Sequence, residues 1–386
     1  MKTELVKGFK DYSGEDAKKR AEIKKILVET FEKYGFEPAE TPIIEYEEFV
    51  KGENPGDEAV RDVFKLQDRG KRKLALRYEF TFQLKRLAKN KKLPYKRYQI
   101  GDVFRDEPIK QGRTRQFIQC DIDVVGSTIK NEAEVLSLTK EVLEKLGIKS
   151  KIYINNRKLI NEILIKNKIK ENDLENVIRE IDKLNKITKK EIKKNLKKYN
   201  AEKIIDLFEK DEKEFEKYEN YKEIKELKKY CKFFNVDVEF KPSLARGLSY
   251  YNGSVFEIES KKIKVSICGG GSYLINGIQS TGIAFGFEPI FLIADLNIKK
   301  EKYLVISLNQ DKEAIKLTNK LRKNNSVSIF YGKPSKALEY ANSYNYNKVI
   351  FVGEKEVKSK NFVVKNMDTG RQQIMVIKKR VLKGKI

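Results

Sequence analysis

Histidine is missing altogether from the 386 residues of this chain. Its absence removes the commonest general base, the Ser/His and Cys/His nucleophile pairs and most zinc chemistry. Any catalysis must run on carboxylates, Arg, Lys, Tyr, a bound metal or positioning alone. Cysteine is nearly absent too. Cys120, Cys231 and Cys268 stand far apart, without metal-ligand spacing, and an odd number cannot all pair. That pattern predicts a reducing, cytoplasmic setting. No apolar run reaches the ~18 residues of a membrane span. The opening MKTELVKGFKDYSG has no apolar core of the kind a signal peptide needs, so none is expected. Glycine and proline are missing from residues 157–234, a stretch dense in Lys, Glu, Asn and Ile. It reads as a helical insertion with solvated basic faces.

Positive charge is what the chain has in excess. Lys+Arg 82 against Asp+Glu 57 leaves a net +25. A polyanion such as nucleic acid is the natural partner; a Lys-, Ile- and Asn-rich genome is the alternative source of the excess. The length implies two or three domains. Residues 15–34 carry apolar positions at helical spacing, with Gly35 placed to end the helix. Residues 62–68 and 74–77 read as a hairpin, 80–90 and 131–146 as helices, and 98–105, 115–126, 250–258 and 262–268 as strands. A further helix is expected to start near Ser280 or Thr281 and to run into GIAFGFEPIFLIADL. From residue 302 strands and helices alternate, which predicts a small α/β domain with a partly parallel sheet. The polar stretch 297–302 reads as the linker.

Three clusters carry candidate chemistry. Residues 105–123 hold Arg105, Glu107, Arg113 and Arg115 in and beside a loop between two strands. Strand alternation then puts Arg115, Phe117, Gln119, Asp121 and Asp123 on one face. A half-buried strand would ordinarily show apolar residues there. Guanidinium forks suit phosphate oxygens, and a carboxylate beside an amide suits an amine or an imidazole; a solvated hairpin with salt bridges is the bland alternative. In LARGLSYYNGSVFEI, Arg246 precedes Gly247 and the paired Tyr250 and Tyr251. There a cation stands beside aromatic walls. In LRYEFT, Glu79 and Thr81 face one way on an extended segment and could bind an amino group, or simply cap a helix. The run GGGSYLINGIQSTGIAFGFEPI (269–290) matches neither common phosphate-binding glycine motif, and its glycines suit close strand approach.

In this order and over nearly the whole chain, these residues resemble the histidyl-tRNA synthetases, archaeal-like members of the class II enzymes. KYGFEPAETPIIE resembles motif 1, the dimer motif, with Pro42 as its proline. FRDEPIKQGRTRQFIQCDIDVVG resembles motif 2, and LARGLSYYNGSVFEI the histidine-specific motif RGLDYY with Ser249 for Asp. GGGSY resembles the family's GGGRY with Ser272 for Arg. GIAFGFEPI sits at motif 3, with Pro289 in place of the arginine on the γ-phosphate side of ATP.

The resemblance implies an α+β fold. A class II catalytic core on an antiparallel sheet would occupy 1–156 and 235–297, a helical insertion 157–234, and an α/β anticodon-binding domain 302–386. It implies a histidine–tRNA ligase that uses ATP and Mg²⁺ to make histidyl-adenylate from L-histidine and passes the histidyl group to tRNA(His). The alternative is a non-catalytic paralogue that regulates histidine biosynthesis or binds tRNA. A cytoplasmic homodimer through the motif 1 region is also implied. Carried over position by position, Arg105 and Arg246 flank the α-phosphate and the substrate carboxylate. Glu107 and Phe117 hold adenine, and Arg113 and Arg115 reach the outer phosphates or the tRNA end. Glu79 and Thr81 take the α-amino group. Gln119, Asp123, Tyr250, Tyr251 and Tyr273 line the histidine pocket, and Glu257 is the candidate metal ligand.

Overall fold

The computed structural model describes residues 3–52, 58–109, 112–185, 187–247, 249–296 and 301–376. The chain divides into two units between Leu296 and Asn297. Residues 297–300 of the expected linker lie outside the described residues.

The first unit is organised by its strands: β1 (Glu37–Pro38), β2 (Ile44–Tyr46), β3 (Lys65–Gln67), β4 (Lys73–Leu76), β5 (Tyr95–Phe104), β6 (Gln116–Val125), β7 (Lys151–Asn156), β8 (Glu239–Phe240), β9 (Tyr251–Ser260), β10 (Ile263–Ile275) and β11 (Ile278–Gly286). Eight of them form one sheet in the order β1-β5-β6-β11-β10-β9-β7-β8. The six central strands are antiparallel, and only the two-residue edges β1 and β8 pair in parallel. The expected hairpin at 62–77 is there as β3 and β4, extended by β2 into a small sheet.

Strand β6 shows why the site lies where it does. Its two faces are both buried, for opposite reasons. Cys120, Ile122 and Val124 are fully buried in the apolar core, with Ile23, Leu27 and Phe31 of the helix Gly14–Lys33 and Leu136, Val142 and Leu143 of the helix Ile129–Lys145. Burying each such side chain contributes about 1.5–3 kcal/mol, so the three-residue stripe of the first helix contributes on the order of 5–9 kcal/mol. That helix stops at Gly35, whose φ of +77° is cheap for glycine and whose N–H donates to Glu32 O at 2.9 Å. The other face of β6 presents Gln119, Asp121 and Asp123 to a cavity.

Residues 157–234 are helical as expected, beginning with Arg157–Lys166 and ending with Tyr221–Phe233. Their apolar side chains, among them Ile160, Val177, Ile192, Phe215 and Leu227, bury into the same core as the back of the large sheet. All three cysteines are buried and unpaired. Among the described residues no helix is long and apolar enough to cross a membrane.

One expectation fails. No helix begins near Ser280 or Thr281. The chain stays extended through Gly286, because Ser280–Gly286 pairs with β6 on one side while Ile278–Phe285 pairs with β10 on the other. A helix there would forfeit both ladders. It starts only at Phe287 and runs to Ile293. Pro289 fits its first turn, where a missing N–H breaks no helical bond.

The second unit carries β12 (Lys302–Ser307), β13 (Ser326–Tyr331), β14 (Lys348–Val352), β15 (Asn361–Asn366) and β16 (Gln372–Val376), in the order β13-β12-β14-β15-β16. The first three are parallel and the last two antiparallel, so the sheet is partly parallel as expected.

Candidate active site

A cavity of about 1150 Å³ opens on the polar face of the large sheet. That volume suits a ligand of nucleotide size with a second small molecule. Glu79, Thr81, Arg105, Glu107, Arg113, Gln119, Asp123, Arg246, Tyr250, Tyr251, Glu257 and Tyr273 all line it. The segments that carry them are far apart in sequence, and the sheet order brings them together. Arg115 and Phe117 are not among the lining residues.

The inner end is acidic and aromatic. Asp123 is 4 % exposed and lies across the strand pair from Arg97, which is fully buried and reaches it at 2.8 Å. The Tyr273 hydroxyl donates to the same carboxylate. Burial pushes the Asp123 carboxyl up, while Arg97 and Tyr273 pull it down. Three tyrosine rings enclose this end: Tyr250 and Tyr251 have centroids 4.7 Å apart, and Tyr250 and Tyr273 5.4 Å. Glu79 is buried beside them, just before the helix Thr81–Leu87.

Arg105 and Arg246 are the inner cations. Arg105 Nε donates to Tyr78 O at 3.1 Å and Nη2 to Gln119 Oε1 at 3.4 Å, and its guanidinium stands 5.2 Å from the centre of the Phe117 ring. Arg246 sits in the left-handed region at φ +63° and faces Glu257 at 3.6 Å. Its guanidinium lies over Gly269. A Cβ at that position would overlap it, the farthest of three guanidinium atoms being 2.6 Å away. Gly282 leaves room for Asp123 in the same way. The glycine-rich run is therefore a strand pair stripped of side chains where an arginine and an aspartate must lie flat on it. Gly270 also serves close strand approach, since its Cβ would strike the backbone of Gly282 and Ile283.

The loop after β5 is tied down by ion pairs. Glu107 meets Arg113 at 3.5 Å and Asp106 meets Arg115 at 3.0 Å. Arg115 also packs beneath Gly8, and its N–H donates to Gly8 O at 3.0 Å. Lys261 and Lys262 of the turn between β9 and β10, Lys264 of β10, and Lys149 and Lys151 also line the cavity.

The region around Pro289 is apolar. The Pro289 ring comes within 3.6 Å of the position a Cβ on Gly112 would take, with Ile263 and Leu292 at 3.7 Å. Its neighbour Glu288 turns the other way. It takes two hydrogen bonds from Arg20, at 2.7 and 2.9 Å, and one from the Tyr12 hydroxyl at 3.2 Å. Arg20 does not line the cavity, so it holds the helix Phe287–Ile293 against the first helix and adds no charge to the site. Ser272 donates to the buried Glu132.

Among the described residues no group of three or more His, Cys, Asp or Glu side chains could hold a metal ion. Glu257 already faces Arg246 and, at 3.9 Å, Lys241. Arg97, Arg20 and the cavity lysines escaped sequence reasoning. Strand pairing of β5 with β6 would have found Arg97, because it sets Arg97 opposite Asp123.

Comparison with known proteins agrees with this geometry. A family model described as "Histidyl-tRNA synthetase" matches residues 8–290, and one described as "Anticodon binding domain" matches residues 302–383. Histidine--tRNA ligase 1 of Bacillus cereus is 35% identical over 96% of this chain and 95% of its own length. Histidine--tRNA ligase of Methanocaldococcus jannaschii is 34% identical over 96% and 97%. The crystal structure of histidyl-tRNA synthetase from Nostoc sp. PCC 7120 superposes with a TM-score of 0.85 at 23% identity, covering 97% of both chains. A structure titled as an ATP phosphoribosyltransferase regulatory subunit/histidyl-tRNA synthetase from Bacillus halodurans gives 0.76 at 22%, over 90% of this chain and 98% of that one. Both structures speak to the fold alone.

Proposed function

The chain belongs to the histidyl-tRNA synthetase family, and from that premise we propose that it is an ATP-dependent histidine–tRNA ligase. One observation carries the reading: two arginines, Arg105 and Arg246, share a cavity with an acidic, tyrosine-walled pocket. That pocket suits an imidazole amino acid, and the arginines suit the charge that grows on a phosphate.

The substrate carboxylate attacks the α-phosphorus of ATP. An O–P bond forms, the bond to the β-phosphate oxygen breaks, and pyrophosphate leaves with its electron pair. The nucleophile is already an anion, so no base is required, and a chain without histidine loses nothing at this step. Arg105 and Arg246 neutralise the charge that develops on the pentavalent phosphorus, an effect typically worth about 10²–10³ in rate per donor. Glu79, Thr81 and Gln119 hold the α-amino end, and Asp123 with Tyr273 and Tyr251 holds the ring, with Tyr250 against it. The substrate is thereby aimed in line with the leaving group. Glu107 takes the adenine amino group, and Phe117, which does not line the cavity, backs the Arg105 guanidinium at its edge. Arg113, with Lys262 of the β9–β10 turn and Lys264 of β10, meets the outer phosphates where Pro289 supplies no cation. Arg115 secures the loop through Asp106 and reaches toward the tRNA end. In the second step the terminal ribose hydroxyl of the tRNA attacks the acyl carbon, the bond from that carbon to the phosphate oxygen breaks, and AMP leaves, its phosphate taking up the hydroxyl proton.

Mg²⁺ would be held mainly by ATP oxygens and water, with Glu257 as a candidate carboxylate. It would draw charge from the leaving phosphates. The exposed Ile43, Ile44, Tyr46 and Leu66 support a homodimer through the motif 1 region. The second unit supports tRNA(His) binding, and the three buried thiols fit a cytoplasmic enzyme.

Pro289 alone favours the second reading, a non-catalytic relative that senses tRNA or regulates histidine biosynthesis. Histidine-dependent exchange of pyrophosphate into ATP decides between them. The ligase reading expects exchange that depends on histidine. Exchange at background with tRNA binding intact would establish the second.

A further inference from the structure

Of the cavity carboxylates that have no role in the scheme above, Asp121 is the buried one. Asp121 is 5 % exposed and lines the cavity between Gln119 and Asp123. Gln119 Nε2 donates to its Oδ2 at 2.8 Å, whereas its Oδ1 is buried without a hydrogen-bond partner. The neighbouring strands bring it no hydrogen-bonded cation, although Arg97 of β5 is close enough to act on it through space. Asp121 is paired across the sheet with Gln99, whose Nε2 donates instead to Thr41, and with Ala284. Arg97 is engaged by Asp123. A buried carboxylate oxygen without a partner is costly until a proton or a ligand's N–H meets it.

We propose that Asp121 is a substrate-binding residue, a second anionic acceptor for the α-ammonium group, beside Glu79, Thr81 and Gln119. An alkylammonium carries three N–H donors and no acceptor. Of the groups placed around it Thr81 and Gln119 are neutral and Glu79 is an anion, and hydrogen bonds to ionised acceptors are the stronger ones. The bond from Gln119 Nε2 to Asp121 fixes the amide so that Oε1, which accepts from Arg105 at 3.4 Å, keeps its second lone pair for a ligand. Oδ1 of Asp121 supplies the second anionic acceptor. Asp123 lies two residues on, about 6.6 Å along the strand, a span that separates an α-nitrogen from the far side of an imidazole. One strand thus reads both ends of the amino acid. This assignment rests on the proposed substrate being histidine.

Protonation follows from the surroundings. Facing Asp121 are Gln119 and Asp123 from its own strand, Arg97 and Gln99 from β5, uncharged Ala284 from β11, and Glu79. Burial first, then Asp123, pushes its carboxyl up to about 8. The free site therefore favours an extra proton, shared within the buried Asp121 and Asp123 pair. An ammonium bound at Oδ1 favours the carboxylate, lowers that value and expels the proton. Affinity for the ammonium then rises with pH and levels off above about 8.

The test is calorimetry on the full chain with three ligands: histidine, histidinol, which keeps the ammonium but lacks the carboxylate, and imidazole-lactate, which carries a hydroxyl in place of the ammonium. Wild-type protein at pH 7, titrated in two buffers of different ionisation heat, should release more protons with histidinol than with imidazole-lactate. In Asp121→Asn that difference should vanish. Histidine and histidinol should bind about 10–100-fold more weakly, the range expected for one charged hydrogen bond, while imidazole-lactate and ATP keep their affinity. Equal losses for all three ligands would make Asp121 a ring ligand or a scaffold residue and overturn the assignment. So would equal proton release in the wild type, a measurement that needs no variant. Wild-type protein that binds none of the three imidazoles would refute the substrate reading itself, and the assignment with it.

Discussion

The glycine beneath Arg246 yields a quantitative test of the proposed chemistry. Replace Gly269 by Ala. The added Cβ would sit 2.6 Å from Arg246 Nη2, and closer to two other guanidinium atoms, where 3.4–4 Å is ordinary contact. The strand cannot give way, because Gly269 is paired with Ala284 on β11 and with Glu257 on β9. The guanidinium must therefore retreat by about 1 Å, and a misplacement of that size costs about 10²-fold, or ~2.7 kcal/mol of transition-state stabilisation. Removing the guanidinium outright in Arg246→Ala should cost about 10²–10³. The two changes act on one interaction, so they should not add. Gly269→Ala placed in the Arg246→Ala background should lower activity further by no more than about twofold. The assay is histidine-dependent ATP–pyrophosphate exchange, with kcat and KM separated. The loss should fall on kcat, since the charge Arg246 meets exists mainly in the transition state. A Gly269→Ala enzyme that exchanges at wild-type rate would refute the reasoning, and so would full additivity with Arg246→Ala.

Two further outcomes are expected. Arg20→Ala leaves the Glu288 carboxylate buried without its bidentate partner and should lower stability to urea by about 3–5 kcal/mol, whereas Arg20→Met with Glu288→Leu together should lose less than either single change; equal stability of Arg20→Ala and wild type would contradict this. Lys190, Lys194 and Lys197 are exposed on the insertion, and changing all three to Ala should weaken tRNA binding and flatten its salt dependence by about 0.7–0.9 in log–log slope per lost phosphate contact. Unchanged affinity and slope would remove that surface from the tRNA contact.

What could be read in the sequence was what is local. Gln119, Asp121 and Asp123 alternate along one strand, so their shared polar face shows in the order of residues alone. Arg246 beside the paired tyrosines shows in the same way. Arg97 does not, because nothing in YKRYQIGDVF marks it, and its partner Asp123 is set by cross-strand register. Arg20 and Glu288 meet across most of the first unit, which no spacing rule reaches. The run GIAFGF was misread as helix for a related reason. Short apolar runs have no decisive period, and only the two strands that flank it decide the outcome. The cation missing at Pro289 was visible as an absence, but the lysines that face the same cavity come from a turn and a strand that the fold alone places there.

The hairpin of β10 and β11 has a consequence for how the site assembles. Ile275 and Ile278 pair across a two-residue turn, Asn276–Gly277, and both turn residues have positive φ, at +50° and +77°. Asn-Gly in that conformation matches the twist of the strands it joins. A hairpin with such a turn can close in about 1–10 μs, so the wall bearing Gly269, Tyr273 and Gly282 is able to form before the rest of the sheet. Asp123 arrives from much farther away. Its bond from Tyr273 spans 150 residues, and contacts of that separation wait on the slow step of bringing distant chain together. The pocket thus closes only when the whole sheet does, and a half-folded chain holds one wall of the site and no place to charge an amino acid.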